Sequence, residues 1–323
     1  MFDRSSLSLP VICAPMFLVT GPSLVREACL AGLVGVLPRH NARTLEQFEE
    51  WLDAIQTARK EALAHSTKVG PLVVNVSAKL PAAELEETLA LAGRYGVQTA
   101  ISVGGGPREV VRVAHSKSMA VLHDVISVEF AKKAIGQGVD GLIAIGLGGG
   151  GHSGLLSHLT LIEKIRTIFK GPLVMAGGVS TGAGVRAAEV LGADYAYMGT
   201  RFIATKEADA PADYKQMLVE STSEDLVYTP HVTGVSANWL KPSLKRCGID
   251  IETLVKPGAG RFDHLPNDIR PWRDIWSGGQ GIDLIDDIPD VASLVARLVG
   301  EYEAACARRD SLLAIENTCA TAT

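Results

Sequence analysis

From Leu9 to Gly199 the sequence repeats one cycle: a short apolar run, a loop, a longer stretch with apolar residues at helical spacing, and commonly a glycine before the next run. Runs that are apolar at consecutive positions suit strands covered on both faces, and strands alternating with helical segments mark βαβ units in a parallel sheet. The runs are Pro10–Ala14, Val34–Leu37, Leu72–Val76, Thr99–Val103, Ala120–Val125, Gly141–Ile145, Leu173–Ala176 and Tyr195–Met198. Eight parallel strands, each followed by a helix, close into a barrel, so the expected fold class is α/β, a TIM-type (β/α)8 barrel.

The stretches between the runs carry matching signals. Ala31-Gly32, Tyr95-Gly96, Gln137-Gly138 and Leu191-Gly192 place glycine where a left-handed residue ends a helix. Across Arg43–Ala64, residues Leu45, Phe48, Trp51, Leu52, Ile55 and Ala58 recur at helical spacing, as in an outer helix that buries one face. After Arg201-Phe202 and a helical stretch around Asp213–Glu220 the alternation stops, which points to an inserted cap or lid after strand eight. This region mixes polar and aromatic side chains, among them Tyr228, His231, Asn238, Trp239, Lys241, Trp272, Trp276 and Gln280. A substrate cover and a packed surface excursion both suit that mixture. Val291–Leu312 reads as a helix with Val291, Leu294, Val295, Leu298 and Tyr302 on one face, and a frayed tail is expected from Ile315 to Thr323. The expected organisation is a barrel over residues 1–220, an inserted cap over 221–285, and a returning helix with its tail over 286–323.

Composition narrows the function. Of 323 residues, 47% are hydrophobic and 21% charged, the balance of a soluble globular protein. A formal net charge of −5 gives no electrostatic reason to expect nucleic acid or an anionic membrane as partner, which leaves small molecules. Cys13, Cys29, Cys247, Cys306 and Cys319 are odd in number and unclustered, so neither a disulfide framework nor a zinc site is indicated, and a reducing cytoplasm is expected. Met1-Phe2-Asp3-Arg4-Ser5 lacks the pattern of a secretory leader, and no apolar run is long enough to span a bilayer. Oligomeric state is left open, with homo-oligomerisation compatible with all of this.

In a parallel barrel the active site lies at the carboxyl ends of the strands. Residues just after the runs should therefore converge: Pro15, Met16 and Phe17; Pro38, Arg39 and His40; Asn75 and Ser77; Gly104-Gly105-Gly106; His123 and Asp124; Gly177-Gly178; and Gly199-Thr200. The last two sets suit phosphate binding by backbone N–H groups near helix starts, which needs glycine for close approach. After the sixth run comes Gly148-Gly149-Gly150-Gly151-His152-Ser153-Gly154, where the glycines allow positive φ and a ligand's close approach, and one titratable imidazole follows.

The chain resembles the nitronate monooxygenases, formerly called 2-nitropropane dioxygenases. The resemblance is carried by Ala14-Pro15-Met16, Leu37-Pro38-Arg39-His40-Asn41-Ala42-Arg43-Thr44, Gly150-Gly151-His152-Ser153-Gly154, Ala176-Gly177-Gly178, Leu191 to Phe202, and Gly278-Gly279-Gln280-Gly281. It implies an FMN-dependent barrel that oxidises alkyl nitronates with dioxygen to a carbonyl compound and nitrite, without a metal. It also implies that Gly177, Gly178, Gly199 and Thr200 hold the FMN phosphate, and that Ala14, Pro15, Met16, Asn75 and His123 lie against the flavin and ribityl chain. Gly150 and Gln280 complete the cofactor set. His152 is the implied catalytic residue, holding the nitro group or removing the α-proton of a neutral nitroalkane. Many relatives have alanine before the Gly-Gly-His and an acidic residue upstream, where this chain has Gly149 and Gly148.

Three other readings remain. A flavin enoyl-thioester reductase using NAD(P)H is similar in barrel, phosphate loops and Gly-Gly-His. Gly146, Gly148 and Gly151 match G-x-G-x-x-G, but Leu173-Val174-Met175-Ala176 offers no acidic residue to complete a dinucleotide fingerprint. A binding barrel without turnover is the non-enzymatic alternative.

Overall fold

Every apolar run found in the sequence forms a strand, and each pairs in parallel with its neighbour in the barrel. The computed structural model describes residues 2–320 apart from 67, 256, 258–263 and 267, with side chains described as far as residue 308. In chain order the elements are β1 (Val11–Cys13), α1 (Pro22–Leu30), β2 (Val34–Pro38), α2 (Leu45–Leu63), β3 (Leu72–Ser77), α3 (Ala82–Arg94), β4 (Thr99–Val103), α4 (Arg108–Ser116), β5 (Ala120–Val125), α5 (Val128–Ile135), β6 (Gly141–Ile145), β7 (Gly151–His152), α6 (His158–Arg166), β8 (Leu173–Ala176), α7 (Gly182–Val190), β9 (Tyr195–Met198), α8 (Thr200–Ile203), α9 (Ala212–Glu220), β10 (Leu226–Thr229), β11 (Ala237–Leu240), α10 (Lys241–Arg246) and α11 (Val291–Ala320). Strands β1 to β6, β8 and β9 make the closed barrel, and Val11 opposite Ala196, Ile12 opposite Tyr197 and Cys13 opposite Met198 close it.

Side-chain alternation divides the apolar residues into two cores. Ile12, Val36, Val73, Ile101, Leu122, Ile143, Val174 and Tyr195 fill the barrel interior. Their neighbours Val11, Leu37, Val74, Ala100, Val121, Leu142 and Ala196 pack outward against the helices. Burial on both faces is why these strands read as continuous apolar runs. Thr44 caps α2 by accepting the Gln47 N–H at 3.1 Å, and Phe48, Leu52 and Ile55 form the helix's buried face. The helix-ending glycines take positive φ, +75° at Gly96 and +101° at Gly192.

Between α9 and α11 the chain builds a third apolar cluster around Val232, Trp239, Leu244 and Ile275, with Trp272 packed on it. Here β10 and β11 pair antiparallel, and β11 then pairs with β7, the two-residue strand inside the glycine-rich loop. That loop is therefore part of a second, three-stranded sheet rather than a free turn. Helix α11 lies on α7, where an ideal Cβ at Gly182 would stand 2.1 Å from the Leu298 carbonyl oxygen. It continues to Ala320, so Ile315–Ala320 are helical rather than frayed, and residues 321–323 lie outside the described residues.

Gly96 separates backbone strain from crowding, because the nearest atom to an added Cβ is Gln56 Nε2 at 3.9 Å. Forcing alanine into its left-handed conformation should cost about 1–2 kcal/mol, and asparagine, which visits that region more readily, should cost less. Urea unfolding of Gly96→Ala and Gly96→Asn measures both; equal stability of wild type and the alanine variant would contradict the assignment.

Candidate active site

At the carboxyl ends of the strands the barrel opens into a cavity of about 470 Å³. Strand alternation dictates its floor. One step beyond the interior core residues come Asn75, Val103, Asp124, Ile145, Ala176 and Tyr197, and all of them line it. Ala14, Pro15 and Met16 enter from the loop after β1, Gly150 and His152 from the loop after β6, Gly177 and Gly178 after β8, and Gly199 and Thr200 after β9. Most of the rim selected from the sequence thus converges on one space.

Pro38, Arg39, Ser77 and Gly104-Gly105-Gly106 do not line it, and two residues of the expected cofactor set, His123 and Gln280, also stand elsewhere. His123 belongs to β5 but alternates with Leu122 and Asp124, so its buried ring lies outside the cavity wall, against the main chain of Ser102 and Gly105. Burial pushes its pKa down, and those main-chain contacts offset part of the effect. Its neighbour Asp124 takes the interior position instead. Gln280 is exposed and buttresses the glycine loop from behind: its N–H donates to the Gly148 carbonyl at 2.9 Å, and its side chain packs where a Gly148 Cβ would be.

The loop after β1 is held rigidly over this space. Asn41 Nδ2 donates to the carbonyls of Met16 and Thr20, both at 2.9 Å, and its Oδ1 accepts the Leu18 N–H at 3.1 Å. These bonds fix a turn in which Leu18 has φ of +61°, a left-handed conformation costly for a branched side chain. His40 lines the cavity beside Phe17, with ring centroids 5.6 Å apart; burial and then the Arg39 charge lower its pKa.

On the wall formed after β8 and β9, Gly177 and Gly178 have φ of +114° and +69°. An ideal Cβ at Gly178 would meet no atom within 4 Å, so the main chain there is bared. Thr200 Oγ1 accepts the Gly279 N–H at 3.0 Å, and Ser180, Gly279 and Gly281 extend the same wall. Bared N–H groups beside helix starts are suited to an anionic group such as phosphate.

His152 is placed by the insertion. It stands opposite Ala237 in the β7–β11 pairing, while Asn238 Nδ2 donates to the Gly149 carbonyl at 2.7 Å and Tyr228 donates to the Ser153 carbonyl at 2.7 Å. Its Nε2 lies 3.2 Å from Thr233 Oγ1. Trp272 meets the imidazole edge to face at 5.6 Å and packs on Trp239 at 4.4 Å, in a left-handed conformation with φ of +71°. The His152 side chain is exposed toward the cavity mouth, and the protein packed around the rest of the ring partly desolvates it, which lowers its pKa from the usual value. Trp272 was visible in the sequence only as part of an aromatic-rich cover. Thr233 carried no sequence signal, since its partner is 81 residues away.

Among the described residues, no group of three or more His, Cys, Asp or Glu is arranged to hold a metal ion, and no helix is long and apolar enough to cross a membrane.

The profile of the nitronate monooxygenase family matches residues 1–247. One similar relative is the (3aS,4S,5R,7aS)-5-hydroxy-7a-methyl-1-oxo-octahydro-1H-indene-4-carboxyl-CoA dehydrogenase of Rhodococcus jostii (strain RHA1). It is 27% identical over 73% of this chain and 63% of its own length. A nitronate monooxygenase of Pseudomonas aeruginosa is 32% identical over 42% of each chain. The chain therefore spans less than two-thirds of these curated relatives. Among solved structures, a nitroalkane oxidase from Streptomyces ansochromogenes superposes with a TM-score of 0.73 over 96% of this chain and 99% of that one, at 24% identity, a likeness of fold.

Asp124 supplies a direct test of the cavity floor. Its Oδ1 is buried with no hydrogen-bond partner, and burial pushes its pKa up to about 7. The nearby Tyr197 hydroxyl is also held above its usual value, by burial first and then by Asp124. A carboxyl whose folded pKa exceeds its unfolded one loses stability as pH rises from the unfolded value to the folded one. Asp124→Asn should therefore raise the melting temperature of the ligand-free protein at pH 8, with the gain shrinking toward pH 5. Each kcal/mol recovered corresponds to about 2–4 °C. A gain that grew on acidification would contradict the placement.

Proposed function

Because the chain belongs to the nitronate monooxygenase family, we propose that it is a flavin-dependent oxidoreductase acting on alkyl nitronates. With nitroalkanes it would act after removal of the α-proton, and the products would be a carbonyl compound and nitrite, with dioxygen as oxidant. The observation that carries this reading is the His152 imidazole, held by the β7–β11 pairing at the mouth of a cavity that also contains a glycine-bared anion cradle.

FMN is the proposed cofactor. Gly177, Gly178, Gly199 and Thr200 would hold its phosphate, and Ala14, Pro15, Met16, Asn75 and Gly150 would border the flavin and ribityl chain. Two features support the fit: the open face of Gly178, and the unpaired Asp124 Oδ1, which can bond a cofactor hydroxyl or N–H. Asn75 Nδ2 is committed to the Ile101 carbonyl at 3.1 Å, which leaves its oxygen as an acceptor. His123 and Gln280 drop out of the cofactor set, since neither lines the cavity. When bound, FMN would supply the redox chemistry between nitronate and dioxygen. The reading requires no metal.

The protein's own part is proton handling and orientation. A general base must be unprotonated at working pH, and the partial desolvation that lowers the His152 pKa favours that state. Met16, Phe17 and Trp272 give the cavity apolar walls that limit water around the reacting carbon. Toward a nitronate that arrives already deprotonated, His152 would be a hydrogen-bond partner.

A second reading, a flavin enzyme acting on a thioester with NAD(P)H, is favoured by one observation. A smaller cavity of about 250 Å³, lined by Arg39, Arg43, Ser77 and Glu84, shares His40 with the main one. Glu84 pairs with Arg39 at 3.1 Å, so Arg43 is the side chain there suited to the phosphate of a larger substrate. Anaerobic mixing separates the two: bleaching of the flavin by nitronate but not by NADH or NADPH is expected, and rapid bleaching by pyridine nucleotide alone would favour the second.

On the primary reading the purified protein is yellow with FMN and releases nitrite from alkyl nitronates or propionate 3-nitronate. His152→Gln should lower kcat/KM for neutral nitroalkanes by about 10²–10⁴ while retaining FMN. Because a base works when unprotonated and partial desolvation lowers the His152 pKa, the acidic limb of the wild-type profile should fall below that of an unperturbed imidazole. A colourless protein that cannot be reconstituted with FMN, or a His152→Gln variant with full nitroalkane activity, would overturn the reading.

A further inference from the structure

The hydrogen-bond inventory around His152 distinguishes its two nitrogens. Nε2 lies 3.2 Å from Thr233 Oγ1, and the same hydroxyl donates to the Val235 carbonyl at 3.0 Å. A threonine hydroxyl has one hydrogen, and a carbonyl can only accept, so once that hydrogen is given to Val235 the oxygen can meet Nε2 only as an acceptor. In that arrangement Nε2 carries the proton, and the reverse one, with the hydroxyl donating to Nε2, would give up the shorter bond to Val235. Thr233 is not part of the cavity wall, whereas His152 is. Among the described residues, Nδ1 has no protein partner.

We propose that Thr233 is a positioning residue that fixes His152 as the Nε2–H tautomer, and so makes Nδ1 the basic nitrogen available to substrate. The assignment rests on the functional reading of His152 given above and goes further by naming the atom. In the proton-transfer step the α-C–H bond of a neutral nitroalkane breaks, its electron pair becomes the C=N π bond, the N=O π pair moves onto oxygen to give the nitronate, and the proton goes to Nδ1. The ring becomes an imidazolium whose Nε2–H remains bonded to Thr233. Its new Nδ1–H is then a charged donor beside the newly formed nitronate anion. One nitrogen thus serves first as base and then as donor, which joins the two roles open to His152.

Two further contacts keep the ring oriented. The β7–β11 pairing fixes its backbone, and Trp272 meets its face or edge at right angles, with an interplanar angle of 88°. Neither contact distinguishes one nitrogen from the other. Tautomer choice therefore falls to Thr233, as the second group in a His-centred array often sets which nitrogen is protonated.

Nitrogen-15 NMR of histidine-labelled protein tests this, with the His152 resonances assigned by their loss in His152→Gln. Wild type and Thr233→Ser are expected to show a protonated Nε2 and a bare Nδ1. In Thr233→Val, close to threonine in shape, the two nitrogen shifts should move toward one another as the tautomers mix. Nitroalkane kcat should then fall about tenfold with KM little changed, and serine should restore it. A wild-type ring protonated on Nδ1, or a valine variant with unchanged shifts and unchanged kcat, overturns the proposal. The NMR measurement needs no substrate, so it stands apart from the His152→Gln activity test of the functional reading.

Discussion

The pairing of Gly151–His152 with Ala237–Asn238 is the contact on which the site depends. A glycine-rich loop after a barrel strand has no intrinsic reason to hold one conformation, because glycine loses more backbone freedom on ordering than any other residue. Strand pairing, the Asn238 and Tyr228 bonds to the loop carbonyls, and the Trp272 contact offset that cost. The insertion is better described as the frame of the glycine-rich loop than as a cover over it.

The barrel does the complementary part. Its alternation places one layer of side chains at the carboxyl ends, and this layer mixes apolar residues with Asn75, Asp124 and Tyr197. A carboxyl oxygen buried without a partner, as Asp124 Oδ1 is, is destabilising in the empty protein. The floor is therefore less stable alone than an apolar one would be, a pattern usual where a site waits for a ligand to complete its hydrogen bonds. Asn41 adds a second such expense, holding Leu18 in a left-handed conformation so that the loop carrying Met16 and Phe17 faces the same space.

Much of this was legible in the sequence, for physical reasons. Strands buried on both faces leave continuous apolar runs, so β4, β5, β6, β8 and β9 have the limits read from the sequence. Helix-ending glycines mark themselves because few other residues accept their φ. The sequence named both His123 and Asp124 at the end of the fifth run; the two-residue strand period assigns the interior to the one in step with Leu122, which is Asp124. Thr233, Trp272 and the β7–β11 pairing were not legible, since they depend on contacts between segments distant in sequence and, at Trp272, on a conformation that the residue type disfavours.

Whether this frame holds His152 as the base that takes the α-proton is tested most directly by the primary deuterium isotope effect on anaerobic flavin reduction, comparing a neutral nitroalkane with its α-deuterated form. The rate should be slowed by deuterium in wild type and nearly abolished in His152→Gln, while reduction by the preformed nitronate shows no such dependence. Flavin reduction by the nitroalkane that is insensitive to deuterium and unaffected by His152→Gln would contradict that role.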